Sequence, residues 1–425
     1  CASNESGAGV LVHLQSALGT VASIALAWLR SEDRRACPWR TVVVGLALQI
    51  GIALLLLKIA VARDVLFSLN GVVDALAAAT KAGTSFVFGY TGGGPAPFAV
   101  TNAGALSSFA FQILPLVIVI SALAALLWYW RILPLIVGGF AWALQKTMGI
   151  GGAVGLGSAA TIFLGMIEAP LLIRPYLAKL TRAELFMLFS VGLATVAGTV
   201  FVLYATILEP AVPGALGHIL VASMMSLPAA ILLARIMIPG ISETSAVAAP
   251  GFEYRSSMDA VARGTEDGLK LWLSIVAMLL VIVALVALAD IILSHAPDVA
   301  GTPVTVERIF GWIFAPVVWL YGVPWDQAPT AGALMGDKTV LNEFVAYLKL
   351  AALPEGALDP RSRLIMLYAM CGFANLGSVG IMIAGVSGLV PERRDEIVPL
   401  AMRALLSGTM ASGLTGAMIG LLPVS

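Results

Sequence analysis

The sequence predicts an all-α polytopic membrane protein, with eight transmembrane helices plus two re-entrant helical hairpins in inverted repeats, and interfacial helices beside them. Three observations predict it. The 425 residues are 60% hydrophobic and 11% charged, with a mean hydropathy of +0.97, which is too apolar for a chain that must present a wet surface. Apolar stretches of about 20 residues, the length that crosses a bilayer, recur at about 10–29, 41–57, 107–128, 184–208, 215–238, 269–294, 362–388 and 397–423. Two further apolar regions, 148–180 and 309–350, each have room for two short helices and carry Gly, Pro and one stranded acid, Glu168 or Glu343. Irregular backbone at membrane depth is tolerated only against protein or a water-filled cavity, and a carboxylate kept there marks a substrate or ion pathway.

The elements follow in order. Val10 to Leu29 reads as a span and not as a cleavable signal sequence. Because the numbering opens on Cys1, a trimmed N-terminus is expected in preference to a lipidated one. Segments 69–82 and 132–146 read as amphipathic or interfacial helices, and Gly89 to Gly104 as an irregular connection. The hairpin 148–180 is followed by spans 184–208 and 215–238, and the hairpin 309–350 by spans 362–388 and 397–423. Four parts are therefore expected. Residues 1–147 form a scaffold with interfacial helices, and 148–238 a first transport repeat. Residues 239–308 form a connecting interfacial segment and scaffold helix, and 309–425 a second transport repeat.

Loop charge sets the orientation. Arg30, Arg34, Arg35, Arg40, Arg131, Arg174, Lys179, Arg182, Arg235, Arg255, Arg263, Arg393 and Arg394 fall on one face, and the positive-inside rule makes that face cytoplasmic. Both termini are then outside, with Lys58, Arg63 and Arg308 as the exceptions. The hairpins enter from opposite sides, so the halves form an inverted repeat whose site lies near the midplane.

Several function classes are excluded. The net charge is zero and no basic run is long enough for nucleic acid. Cys1, Cys37 and Cys371 are scattered, and His13, His218 and His295 lie far apart, so neither a disulfide framework nor a metal cluster is indicated. Gly155-Leu-Gly157-Ser-Ala-Ala160 lacks the preceding strand of a dinucleotide fingerprint, and Gly332 to Thr339 is a broken P-loop. No Gly-x-Ser-x-Gly elbow is present, so no enzyme is expected and no organic cofactor is implied.

The remaining polar residues suggest a binding site. Pro170 suits the first turn of a helix, which places Glu168 at a positive helix end that favours its ionised form. A purely structural reading pairs Glu168 with Arg174 instead. Within the next span, Gly192, Thr195, Gly198 and Thr199 suit either an unwound turn that exposes carbonyl oxygens or close helix packing through small residues. In the second half, Asn375 and Ser378 are three apart and share a face if the segment is helical. With Glu343 they supply acceptors and donors suited to paired hydroxyls, as on a sugar; interhelical hydrogen bonding is the alternative.

These residues resemble the concentrative nucleoside transporter family, and the match runs from about Leu29 to the C-terminus. The family's hairpin motif reads Gly-Gln-Thr-Glu-Ala-Pro-Leu-Leu-x-Arg-Pro-Tyr-Leu, and Gly165 to Leu177 read Gly-Met-Ile-Glu-Ala-Pro-Leu-Leu-Ile-Arg-Pro-Tyr-Leu. Asn342-Glu-Phe-Val-Ala-Tyr347 and Gly372-Phe-Ala-Asn-Leu-Gly-Ser-Val-Gly380 are also family-like. The resemblance implies a homotrimer in a bacterial inner membrane that imports nucleosides by elevator-type alternating access, driven by Na+ or H+. By position it implies a ribose group of Glu343, Asn375 and Ser378, a lining of Phe373 and Val200, and Glu168 as the first acid of the site.

The departures matter as much. Met166 and Ile167 stand where the family has Gln and Thr for the nucleobase, so an amide-bearing base loses partners there. An altered base preference, or another ribose-bearing or polar-headed metabolite with a less polar aglycone, is expected. A membrane receptor or scaffold that binds without flux is the reading from a different class. For the coupling ion, Thr161 replaces the family's Asn, Thr195 offers a hydroxyl, and Leu164 and Val196 offer backbone carbonyls. Val154 stands at the family's upstream acid. Hard cations take oxygen from either source. Na+ is the expected ion, with H+ as the alternative.

Overall fold

In lipid an apolar segment must close its backbone hydrogen bonds within itself, and the helix does so. The computed structural model describes residues 2–59, 64, 68, 70–102, 106, 108–166, 168–240, 244, 254–299 and 301–422. Among these the only β pairing is an isolated bridge between Val299 and Thr302. The first part contains α1 (Ala2–Leu29), α2 (Trp39–Lys58), α3 (Asn70–Phe88), α4 (Leu116–Tyr129, behind a π-helical turn at Phe109–Ile113) and α5 (Ile132–Met148). Next come α6 (Gly152–Leu164), α7 (Glu168–Leu172), α8 (Arg174–Leu177), α9 (Arg182–Ala194), α10 (Gly198–Leu208) and α11 (Ala215–Met237). The remainder is α12 (Ser257–Leu293), α13 (Val306–Tyr321), α14 (Ala328–Val340), α15 (Glu343–Ala352), α16 (Pro360–Met370), α17 (Leu376–Leu389) and α18 (Arg394–Leu421).

Both expected hairpins double back. A Cβ at Gly157 on α6 would lie 3.0 Å from Ile173 Cδ1, although sixteen residues of straight helix would separate the two by about 24 Å. In the second half, Lys349 Nζ on α15 lies 3.0 Å from Asp337 Oδ2 on α14. The turns have different causes. At the first, Gly165 has φ 92°, in the left-handed region that side chains avoid. At the second, Asn342 caps α15 by accepting from the Val345 N–H at 2.9 Å.

The region 309–350 needs a correction, since it is not a single two-helix hairpin. It begins with a separate helix, α13, which stops at Gly322 with φ 112°. The hairpin itself is α14 and α15. The first hairpin is likewise preceded by α5, which ends at Gly149 with φ 61°. The two halves thus share a longer order than hydropathy suggested: a helix, a hairpin, an interrupted helix and a long helix. The spans 184–208 and 362–388 are the interrupted pair, broken at residues 195–197 and 371–375.

Six helices are long and apolar enough to cross a membrane among the described residues. Their burial separates an inner from an outer set. The apolar windows of Arg182–Leu208 and Ala215–Met237 are 83% buried, whereas that of Ser257–Leu293 is 0% buried. The first interrupted helix and the long helix after it are therefore enclosed by protein, and α12 turns its apolar surface outward to where lipid would lie.

Candidate functional site

The two helix breaks meet. Phe373 N donates to Thr195 O at 3.2 Å, and a Cβ at Gly372 would stand only 2.7 Å from Ala194 O. Only glycine fits so close an approach of backbone to backbone. The tip of the first hairpin joins the same junction. A Cβ at Gly198 would lie 3.0 Å from Phe163 O, and one at Gly165 would lie 3.1 Å from Ala197 Cβ. Sequence-distant irregular segments are thus packed into one place.

A cavity of about 370 Å³ opens beside this junction. Its polar lining comes mainly from one cluster. Glu343, at the first position of α15 and 4% exposed, accepts through Oε1 from the Tyr204 hydroxyl at 2.6 Å and through Oε2 from Asn375 Nδ2 at 3.1 Å. Asn375 is fixed in turn, because its Oδ1 caps α17 by accepting from Ser378 N at 2.8 Å. Asn375 and Ser378 therefore meet through a cap, not along a helical face, and the interhelical bonding weighed for this segment is present as well. A carboxylate has about four acceptor directions. With Tyr204 and Asn375 using two, the group retains capacity for hydroxyl donors.

The other residues named from sequence fall as follows. Met166, Glu168, Val200, Phe373, Asn375 and Ser378 line the same cavity as Glu343. Glu168 is exposed and begins α7; its Oε2 folds back to 3.0 Å from where a Gly165 Cβ would be. Arg174 makes no ion pair among the described residues, so the proposed edge pairing of Glu168 with Arg174 is not found. Ile167 lies outside the described residues.

The four residues named for a cation sit on adjoining stretches, Thr161 and Leu164 at the end of α6, Thr195 and Val196 at the break after α9. Thr161 and Thr195 are 1% exposed. Each hydroxyl gives its proton to its own helix, Thr161 to Ser158 O at 2.7 Å and Thr195 to Val191 O at 3.0 Å. That leaves oxygen lone pairs as the free feature, which is what a hard cation requires. Among the described residues no group of three or more His, Cys, Asp or Glu could hold a metal ion.

Sequence reasoning missed Tyr204 and the apolar wall from α12. Tyr204 lies four residues after Val200 on α10, so helical spacing alone puts it on the same face. Leu271, Ser274, Ile275 and Met278 line the cavity at i, i+3, i+4 and i+7. Nearly every residue around them is also apolar, so that spacing gave no contrast to read.

Comparison with known proteins agrees with this geometry. Residues 18–91 match the family model of the Na+ dependent nucleoside transporter N-terminus, residues 110–211 match that for nucleoside recognition, and residues 218–420 match the transporter C-terminus. The chain is 34% identical to the nucleoside permease NupC of Helicobacter pylori, over 97% of this chain and 98% of that one. It is 37% identical to the uncharacterized transporter YutK of Bacillus subtilis, over 95% and 98%. It is also 31% identical to sodium/nucleoside cotransporter 1 of Rattus norvegicus, over 97% of this chain and 64% of that longer one. The solved structure of CNTnw in an inward-facing substrate-bound state superposes with a TM-score of 0.87 at 34% identity, covering 96% of this chain and 98% of that chain. A CNTnw variant in an outward-facing state gives 0.87 at 33% identity, over 96% and 97%. The chain belongs to the concentrative nucleoside transporter family, whose members are membrane transporters and not enzymes.

Proposed function

We propose that this chain imports nucleosides across a bacterial inner membrane, coupled to a cation gradient. The observation that carries the reading is the Glu343 cluster. A buried carboxylate held by Tyr204 and Asn375 lines a cavity of about 370 Å³ and keeps acceptor capacity for the vicinal hydroxyls of a ribose. Ser378 supplies a further hydroxyl, and Phe373 and Val200 pack the sugar–base region. Glu168, exposed at the hairpin tip, is the first acid of the site.

Na+ is the proposed coupling ion, held by the hydroxyls of Thr161 and Thr195 and the carbonyls of Leu164 and Val196; H+ is the alternative. The two repeats, 148–238 and 309–425, move as an elevator against a scaffold of 1–147 and 239–308. The outward-turned apolar surface of α12 supports that division. The assembly is a homotrimer in the bilayer with both termini outside the cytoplasm.

A second reading rests on Met166. It lines the cavity and is 8% exposed, and a Cβ at Gly192 would lie 3.1 Å from its own Cβ. An apolar side chain held there gives no hydrogen bond to a base amide, so ligands with a ribose head and a less polar aglycone compete with ordinary nucleosides. Competition of labelled uridine uptake by adenosine, free ribose and a ribosyl ligand with an apolar aglycone separates the two. Inhibition by the nucleosides at lower concentration than by the apolar analogue supports nucleoside import, and the reverse order supports the second reading. Indifference to all three sinks both.

A further inference from the structure

Lys338 is a buried cation that the binding geometry above does not use. It sits on α14, five residues before Glu343 and across the hairpin turn from it. Its side chain is 0% exposed. Among the described residues the ammonium forms no ion pair, and its one hydrogen bond runs to Ser412 Oγ on α18 at 3.3 Å. Ser412 passes its own proton to Thr409 O at 3.2 Å. An ammonium has three donors, and burying it with a single neutral partner is costly unless an opposite charge compensates. Glu343, itself buried and just beyond the hairpin turn, is the acid whose charge favours the ammonium, with no contact between the two short enough for an ion pair. The neighbouring acid, Asp337, is taken by Lys349 at 3.0 Å, which pairs with Glu307 as well.

The two hairpins differ at this point. Lys338 stands two residues before the last residue of α14, and the same count back from the end of α6 reaches Ile162, which is 1% exposed. The first repeat thus carries an apolar side chain beside hydroxyls whose lone pairs are free. The second carries a tethered positive charge. Glu343 is held by Tyr204 and Asn375, both neutral, so neither balances its charge. A counter-ion in direct contact would occupy the acceptor directions a ligand needs, whereas one acting at longer range leaves them open.

We propose that Lys338 is a positioning residue, the built-in counter-ion of the second repeat, which keeps Glu343 ionised and accepting without touching the ligand. The inference rests on the reading of Glu343 as the ribose acceptor, and its test is chosen to stand apart from that reading. Infrared difference spectra of the full-length protein in lipid at neutral pH read Glu343 without any ligand. Subtracting Lys338→Met/Glu343→Gln from Lys338→Met isolates the Glu343 band, and subtracting Glu343→Gln from wild type gives the reference. A protonated-carboxyl C=O stretch in the Lys338→Met subtraction, with none in the wild-type one, supports the proposal. A stretch in both, in neither, or in wild type alone overturns it.

Two further variants guard against a structural explanation. Lys338→Gln keeps a donor toward Ser412 and is expected to show the same band; it serves if Lys338→Met fails to fold. Ser412→Ala removes the hydrogen bond and keeps the charge, so it should show no band; a band there overturns the charge argument. In binding, Lys338→Met should weaken uridine affinity near neutral pH toward the roughly hundredfold loss expected of Glu343→Gln, because the same two hydrogen bonds lose their charge assistance. Affinity should recover as pH rises and Glu343 ionises again, while the wild-type profile stays flat. If wild type binds no nucleoside, the transport reading fails and the infrared result still decides the role of Lys338.

Discussion

Glu343→Gln is the substitution whose consequence the geometry fixes most tightly. Glu343 Oε1 accepts from the Tyr204 hydroxyl at 2.6 Å and Oε2 from Asn375 Nδ2 at 3.1 Å. A glutamine must turn its NH2 toward one of them. Asn375 cannot rotate to accept it without surrendering its cap on Ser378 N at 2.8 Å. The Tyr204 hydroxyl can reverse and accept, so the amide oxygen stays on Asn375 and the NH2 faces Tyr204. The variant is near in volume and retains both contacts, so folding and insertion should survive. The charge is what is lost. Hydrogen bonds to a charged acceptor are worth about 1.5–3 kcal/mol each, so two ribose hydroxyls forfeit about 3 kcal/mol between them even if part of each bond remains. At 1.4 kcal/mol per tenfold that is roughly a hundredfold in Kd. Isothermal titration with uridine in detergent and concentrative uptake in proteoliposomes check it. A Kd within about threefold of wild type, or undiminished accumulation, refutes the assignment of Glu343 as the ribose acceptor.

Other outcomes follow from neighbouring residues. Tyr204→Phe removes one donor from the Glu343 carboxylate at a cost of about 1–3 kcal/mol, so KM for a nucleoside should rise about tenfold or more while the protein remains folded; an unchanged KM contradicts the cluster. Met166→Gln restores an amide at the base edge and should improve the affinity for uridine relative to that for an apolar ribosyl analogue, read by competition; no change in the ratio places the base elsewhere. Gly372→Ala puts a methyl 2.7 Å from Ala194 O and 3.0 Å from Leu193 O, both backbone. Overpacking of this kind costs about 1–3 kcal/mol, so Tm and uptake should both fall, and a variant with unaltered Tm would show that the junction yields.

Much of this site was legible because polar residues stand out in an apolar chain. Glu343, Asn375 and Ser378 were visible as isolated hydrogen-bonding groups, and the clusters of glycine around 192–198 and 372–380 marked the two breaks. The first break could be read either as an unwound turn or as close packing, and the structure has both at once: Gly198 gives the close approach to Phe163 O, and Thr195 O accepts from Phe373 N. What stayed hidden had no local contrast. Tyr204 sits among Leu, Val and Ala on a buried helix, and helix α13 merges with the apolar run of the second hairpin because hydropathy does not register the φ of Gly322. Lys338 was visible only as part of a broken P-loop, since no property of the sequence reports that a lysine is 0% exposed.

The proposed Na+ site is built from oxygen atoms and not from charged side chains, so the coupling ion is decided by transport. Uptake of labelled uridine and adenosine into proteoliposomes, with Na+ and H+ gradients imposed separately, tests the central claim most directly. Accumulation above equilibrium under an inward Na+ gradient, lost in Thr161→Val, is the predicted result. Accumulation under an H+ gradient alone would keep nucleoside import and remove the Na+ site at Thr161 and Thr195. No accumulation of any nucleoside under either gradient would contradict the account.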